Sequence, residues 1–210
     1  MTNMITIIDY GAGNLRSVQK ALQFLGAPCE ITGDAKKIAR APGVILPGVG
    51  SFGDCMANMQ RRGLAGPVRA AALEAMVGRR PFLGICLGLQ MLFASSEESP
   101  GMPGLGVLPG SVRRLPPAPG LKTPHMGWNS IALQERNGVF TGIPEGSYFY
   151  FVHSFCVHAG DPGDVAARAE YGTPFDAAVS QGLLAATQFH PEKSGETGLL
   201  MLKNFLELAK

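Results

Sequence analysis

An α/β fold, with a mostly parallel central sheet flanked by helices, is predicted by three observations. Short apolar, β-rich runs alternate with segments of helical periodicity through the first half of the chain, the rhythm of βαβ units. One of those runs, Pro81 to Ile85, leads straight into Cys86, where a helix begins. And 46% of the 210 residues are hydrophobic against 16% charged, with mean hydropathy +0.13, as a well-buried globule requires.

The elements follow in order. Met1 to Asp9 reads as a first strand centred on Ile5-Thr6-Ile7-Ile8. It lacks the charged start, long apolar stretch and cleavage site of a signal peptide, and no apolar run approaches a membrane span, so a cytoplasmic location is expected. After a Gly turn, Leu15, Val18, Leu22 and Leu25 recur at helical spacing, with Asn14 as the candidate N-cap. Pro28 to Thr32 and Val44 to Leu46 read as strands, and Pro67 to Val77 as an Ala-rich helix opened by proline. The segment from Ser99 to Pro124 is rich in Pro and Gly and interrupts the alternation. Beyond it, Tyr148 to Val157, Val165 to Glu170 and Asp176 to Phe189 look like strands joined by turns. A final amphipathic helix places Leu199, Leu202, Phe205 and Leu206 on its apolar face. No repeat or linker divides the chain, so residues 1–210 are expected to form one domain.

Charge excludes some functions. The net charge is only +2, and no cluster of Lys and Arg with interleaved aromatics is present, which argues against nucleic acid. Cys29, Cys55, Cys86 and Cys156 are far apart, with no CxxC pair and no metal-ligand spacing. Each reads by default as a small buried hydrophobe.

Cys86 departs from that default. In Gly84-Ile85-Cys86-Leu87-Gly88-Leu89-Gln90 a buried strand ends at a nucleophilic residue type between glycines, and a helix follows. This is the layout of a nucleophile elbow, in which small neighbours tolerate the tight turn that lifts the side chain above the sheet edge. Free N–H groups at a helix start favour a thiolate, and the Leu87 amide would point where a tetrahedral oxyanion develops. The plain alternative is a structural cysteine between packing glycines. A thiolate attacking an amide also needs an oriented proton carrier, and Phe189-His190-Pro191-Glu192 supplies an imidazole and a carboxylate within three residues. Alone, that motif would be an ordinary surface turn. A metal site would have to recruit His125, His153 or His158 without recognisable spacing. Third, Pro47-Gly48-Val49-Gly50-Ser51-Phe52-Gly53 is a Gly-rich turn beyond a parallel strand, on the same sheet edge as the elbow. Its N–H groups could complete an oxyanion hole, bind phosphate, or do no more than turn the chain. Gly11-Ala12-Gly13 invites a dinucleotide reading, but Arg16 stands where the third glycine would be.

The elbow, the Pro47–Gly50 loop and His190-Pro191-Glu192, in this order, resemble the class I glutamine amidotransferases, which have a flavodoxin-like architecture. Finer segments are similar to one branch, the glutaminase subunits of imidazole glycerol phosphate synthase in histidine biosynthesis. They are Ile8 to Leu15, Pro47 to Phe52, His125-Met126-Gly127-Trp128-Asn129 and Tyr150-Phe151-Val152-His153-Ser154. The resemblance runs from the first strand to the last helix. It implies Cys86 as nucleophile with His190 and Glu192 as its partners. The oxyanion donors would come from Leu87 and from Gly48, Val49 and Gly50. Glutamine would be held by Gln90, Glu98 and the backbone around His153, Ser154 and Phe155. It implies no metal or other cofactor, no nucleic acid and no membrane. It further implies a heterodimer with a (β/α)8-barrel cyclase subunit that receives the ammonia through a dry path, with Asn14, Arg16, Met126, Trp128 and Lys193 facing that partner. Core packing is the plain alternative for Trp128, a solvent-facing position for Gln90, and a surface charge for Glu98. The nearest rival function is the glutaminase of another synthase, such as those making anthranilate or GMP. More distant ones are a non-catalytic scaffold of this fold and a nucleotide-binding oxidoreductase.

Overall fold

β1 (Ile5–Ile8) is buried at all four positions, as a strand covered on both faces must be. The computed structural model describes residues 4–11 and 13–210, so residues 1–3 of the expected first strand and Ala12 of the Gly turn lie outside the described residues. α1 (Leu15–Phe24) starts at Asn14 as expected, although that side chain makes no capping hydrogen bond. β2 (Cys29–Thr32) leads to α2 (Ala35–Arg40), whose start is fixed by the Asp34 carboxylate accepting from the Lys36 N–H at 2.8 Å. β3 (Val44–Gly48) runs two residues beyond the expected strand, and α3 (Phe52–Arg61) is capped by the Ser51 hydroxyl, which accepts from the Asp54 N–H at 3.2 Å. Periodicity alone had marked neither α2 nor α3. α4 (Ala65–Met76), β4 (Phe82–Cys86) and the one-turn α5 (Leu87–Gln90) then follow.

The second half is strand-rich. The Pro/Gly segment contains β5 (Gly110–Arg114), and β6 (His125–Ser130) and β7 (Ala132–Leu133) come directly after it. The stretch read as one strand from Tyr148 to Val157 is two, β8 (Tyr148–His153) and β9 (Phe155–Ala159), because the chain changes partners at Ser154: β8 pairs with β6, whereas β9 pairs with β5 and β11. β10 (Val165–Glu170), β11 (Pro174–Gln181), β12 (Leu184–Thr187) and α6 (Gly195–Leu208) complete the order.

Five parallel strands, in the order β2-β1-β3-β4-β12, form the part of the sheet that organises the site. β11, β10 and β7 extend it antiparallel, β9 and β5 branch from β11, and β6 and β8 make a separate antiparallel pair. The α/β class is as expected, with the sheet mixed rather than parallel throughout. Side chains alternate between two cores: Ile5, Ile7, Ile45, Leu83 and Ile85 face one side with α1 and α6. Ile8, Val44, Leu46 and Phe82 face the other with α3 and α4.

Parallel register has a direct consequence for chemistry. Gly48 pairs with Cys86 and Ile85 with Thr187, so the segments leaving β3, β4 and β12 emerge side by side on one edge. That proximity depends on close backbone approach. A Cβ on Gly88 would lie 1.9 Å from the Leu46 carbonyl oxygen, and one on Gly84 would meet the Ala186 Cβ at 2.9 Å. Gly88→Ala is therefore expected to destabilise the fold by about 3 kcal/mol or more, because backbone must move. Gly84→Ala, whose Cβ would meet the Ala186 methyl at 2.9 Å and the Gly88 carbonyl oxygen at 3.0 Å, should lose less, about 1–3 kcal/mol. Denaturant titration of both variants checks the order, and equal or negligible losses would contradict this packing.

Candidate active site

Cys86 occupies a backbone conformation that only glycine adopts freely. Its φ is 56° with ψ −107°, and it is the one non-glycine with positive φ among the described residues. Such a conformation costs about 1–3 kcal/mol and persists only where the surroundings over-determine it. They do: Gly84 and Gly88 admit the turn, and Gly48 lets β3 approach so closely that a Cβ there would meet Leu87 Cβ and the Tyr10 hydroxyl at 2.8 Å. The result places the sulfur at the floor of a pocket, with Leu87, the first helical residue, beside it.

The candidate proton carrier, His190, follows the strand next to the elbow. Chain leaving β12 is tied down where the His190 N–H donates to the Tyr150 carbonyl at 2.9 Å, and Pro191 to Lys193 turn once as a 3-10 helix. This turn folds the Glu192 carboxylate back so that His190 Nδ1–H donates to Oε1 at 2.8 Å, with both side chains almost wholly buried. Orientation by a carboxylate fixes the tautomer and leaves Nε2 for chemistry. Nε2 makes no hydrogen bond to a described residue, yet it faces Cys86 closely enough to respond to its charge. Burial opposes the imidazolium, but the nearby Cys86 sulfur, the Glu192 hydrogen bond and the negative charge of both groups outweigh it, raising the pKa to about 9. At neutral pH the ring is thus an imidazolium, the counter-charge a thiolate needs.

Two buried donors hold the Gly-rich loop. The Tyr10 hydroxyl donates to the Pro47 carbonyl at 3.0 Å, and the Cys55 thiol to the Val49 carbonyl at 3.5 Å. Burial pushes the Tyr10 phenol well above its ordinary range, so it stays a neutral donor. Between the two held carbonyls lies the Gly48–Val49 peptide, and Gly50 continues the turn at φ 111°. Val49 and Gly50 line the pocket; Gly48 lies below them in ladder register with Cys86.

Gln90, Glu98, Val152, His153, Ser154 and Phe155 also line the pocket. Gln90 does not face solvent: it is 4% exposed, and its Nε2 donates to the Phe155 carbonyl at 3.0 Å and to Gln188 Oε1 at 3.1 Å. Glu98 is likewise no free surface charge, since its carboxylate accepts from the Phe52 N–H at 2.7 Å. His153 Nδ1 donates to the Phe155 carbonyl at 2.9 Å, which leaves Nε2 to accept from His125 Nδ1, also at 2.9 Å. Burial holds these two histidines down, His153 to about 3 and His125 to about 4, so both are neutral. Tyr10, Cys55, His125 and Gln188 had no expected part in the site; Gln188 was signalled only by its place just before Phe189-His190. Among the described residues no three His, Cys, Asp or Glu side chains gather to hold a metal ion.

The residues expected to face a partner separate into two groups. Met126 and Trp128 are 62% and 55% exposed, so core packing is wrong for Trp128. The Trp128 ring meets Tyr150 edge-on at 6.3 Å, and Lys193 Nζ lies 5.7 Å from the same ring. Asn14 and Arg16 instead line a separate depression with Asp9 and Gln19.

With this geometry in view, relatedness is informative. The family profile described as "Glutamine amidotransferase class-I" matches residues 6–209. A protein of Moorella thermoacetica called "Imidazole glycerol phosphate synthase subunit HisH" is 52% identical over 206 residues, 98% of this chain and 95% of the relative. Proteins of the same name from Rhodopirellula baltica and Methanothermobacter thermautotrophicus are 50% and 48% identical, covering 96% and 99% of this chain and 96% and 100% of their own. Among solved structures, PurLQS from Thermotoga maritima aligns with TM-score 0.74 at 22% identity over 100% of both chains. The CTPS glutaminase domain of Trypanosoma brucei, solved with bound acivicin, aligns with TM-score 0.65 at 17% identity, over 98% of this chain and 94% of that one. At these identities the structures speak for the fold alone.

The three site histidines set a pH window for stability. His190, raised to about 9 from an ordinary 6.5, contributes stability that is complete below about pH 6.5 and lost as pH rises through about 9. His125 and His153 act in the opposite sense: their contribution is complete above about pH 6.5 and is lost as pH falls toward about 4. Denaturant midpoints should therefore fall as pH drops below about 6.5, with a shallower acid limb in His125→Asn. An acid limb unchanged in His125→Asn would contradict a buried, neutral His125.

Proposed function

The chain belongs to the class-I glutamine amidotransferase family, and on that premise we infer that it is the glutaminase subunit of an imidazole glycerol phosphate synthase, acting in histidine biosynthesis. The observation that carries this reading is the strained Cys86 beside a buried, charged His190–Glu192 pair, in a chain about 50% identical to proteins bearing that subunit's name. One domain performs the chemistry, a reading supported by a family match that spans residues 6–209.

The proposed mechanism uses the groups as they stand. Glutamine enters with its side-chain carboxamide over Cys86, flanked by Gln90, Glu98 and the His153–Phe155 backbone. The thiolate attacks the carboxamide carbon, and the C=O electron pair moves to oxygen. That oxyanion is stabilised by the Leu87 N–H and an N–H of the Gly48–Gly50 loop, each such donor being worth ~3–4 kcal/mol in the transition state. His190 gives its Nε2 proton to the departing nitrogen, the C–N bond breaks, and ammonia leaves a thioester on Cys86. The imidazole, now neutral, takes a proton from water as its oxygen attacks the thioester. Glutamate departs, restoring the thiolate and the imidazolium. Throughout, Glu192 keeps Nδ1 protonated and so keeps Nε2 directed at the sulfur.

Ammonia in water is mostly protonated and not nucleophilic, so its release is productive only into a protected path. The recipient in this proposal is a (β/α)8-barrel cyclase subunit that makes imidazole glycerol phosphate and an aminoimidazole carboxamide ribotide. Met126, Trp128 and Lys193 around Tyr150 would form the docking face, with Asn14 and Arg16, in their separate depression, as a second contact. The Gly48–Val49 peptide, between two held carbonyls, is where a partner could switch the oxyanion hole by rotating one amide. No helix among the described residues is long and apolar enough to cross a membrane.

Cys86→Ala tests the reading. Glutamine hydrolysis should fall by at least about three orders of magnitude while the melting temperature stays near wild type, because a reactive atom is lost from a partly open site. The variant paired with the cyclase should still make product from ammonium salt at raised pH. Wild-type hydrolysis should rise with the cyclase and its ribonucleotide, and not with anthranilate or GMP synthase partners. Glutaminase activity surviving in Cys86→Ala, or stimulation by a different synthase, would overturn the assignment.

A further inference from the structure

We propose that Gln188 is a further catalytic residue, whose carboxamide donates a hydrogen bond to the Cys86 sulfur and holds the thiolate under the substrate. Its role in turnover rests on the glutaminase reading, whereas the contact itself does not. Gln188 is wholly buried at the end of β12, and its backbone N–H is fixed to the Ala177 carbonyl at 2.8 Å. Its Nε2 lies 3.7 Å from Cys86 Sγ, within reach for a donor to sulfur. The other hydrogen-bond neighbour of that sulfur is the Val152 carbonyl at 3.9 Å. A carbonyl can accept from a thiol but offers a thiolate nothing, so in the reactive state Gln188 is the donor at bonding distance.

The direction of the carboxamide follows from chemistry. The Phe155 carbonyl can only accept, and it takes bonds from Gln90 Nε2 and His153 Nδ1. The Gln90 amino group is thereby committed toward Phe155, and the Gln188 atom 3.1 Å from it must be the oxygen. The Gln188 amino group is then left facing sulfur. Reversed, two NH2 groups would oppose each other and an oxygen would face the thiolate. The same carbonyl extends the chain outward: His153 accepts from His125, whose Nε2 lies 3.4 Å from Asn129 Nδ2, and that amide also donates to the Glu170 carbonyl at 2.8 Å. The series meets from both sides at the Phe155 carbonyl, and on the inner side it runs from Gln90 through Gln188 to the Cys86 sulfur. The Gln188 dipole adds to the electrostatics of titratable groups around Cys86: His190 with Glu192 behind it, His153 and Glu98 in the pocket lining, and Tyr10 with Cys55 at the Gly-rich loop.

Cys86 alkylation by iodoacetamide, followed against pH on the full chain and read by mass on the Cys86 peptide, tests this without requiring turnover. In Gln188→Met, which keeps the volume and removes the donor, the pH midpoint should rise by about one to two pH units. Its kcat for glutamine should fall about tenfold to a hundredfold with KM little changed. Gln188→Glu keeps an acceptor for Gln90 but turns an oxygen to the sulfur, and should fall at least as far. Gln90→Met, which releases the carboxamide, should move the midpoint the same way. Circular dichroism separates these effects from unfolding. A wild-type midpoint and kcat in folded Gln188→Met overturn the proposal; if that variant does not fold, a wild-type midpoint in Gln188→Glu does so. Wild-type protein inert toward glutamine even with the cyclase and its ribonucleotide present, with the midpoint still moving in Gln188→Met, would instead refute the glutaminase reading and leave the contact standing.

Discussion

Cys86 can stand at the tip of β4 with φ 56° because Gly48, Gly84 and Gly88 surround it with bare backbone. Side chains at those positions would push β3, β12 and α5 away from the elbow. Nearly every other feature of the site follows from that approach. Gly48 of β3 stands in register with Cys86, Leu87 follows it as the first helical residue, and the chain leaving β12 brings Gln188 and His190 to it. The sheet core provides the rigidity that holds the unfavourable backbone angle, with Leu46, Phe82 and Ala186 packed on one face and Ile45, Leu83 and Ala185 on the other.

Within this frame, three histidines near one pocket are driven to opposite charge states by their partners. His190 has a carboxylate at Nδ1 and the Cys86 sulfur nearby, so burial is outweighed and the ring stays charged. His153 and His125 have a carbonyl and each other, groups that satisfy a neutral imidazole but cannot repay the desolvation of an imidazolium. The first arrangement supplies a proton; the second supplies direction. A pocket with several charged imidazoles would attract anions without discrimination and would blur which ring serves the nucleophile.

How much of this was legible in the sequence depended on whether a residue's meaning was local. The elbow could be read because Gly-x-Cys-x-Gly after an apolar run has few other uses, and His-Pro-Glu because two functional types share one turn. Their convergence on one edge followed from the βα alternation. α3 had local signals, with Ser51 as cap and Phe52, Cys55, Met56 and Met59 at helical spacing, but the preceding run of glycines drew the reading toward a loop. The β6–β8 pairing was hidden for a different reason. His125 and His153 meet across 28 residues, and no local pattern encodes that register. The break at Ser154 is equally non-local, since it marks a change of partner strands. Tyr10, Cys55 and Gln188 carry ordinary core or strand identities in the sequence, and only their hydrogen bonds set them apart. Trp128 shows the limit of burial statistics: a residue that is heavily buried on average stands exposed at a candidate docking face.

The proposed mechanism calls for a charged pair, thiolate and imidazolium, assembled before substrate arrives. The most direct measurement is a pH titration of His190 by NMR in histidine-labelled protein, with the free chain and no glutamine. His190 should remain protonated through pH 7 and titrate near 9, and in Cys86→Ala its pKa should drop as the sulfur's contribution is removed. A neutral His190 at pH 7 in the wild type, or a titration unchanged by loss of the sulfur, would contradict a preformed pair and the mechanism built on it.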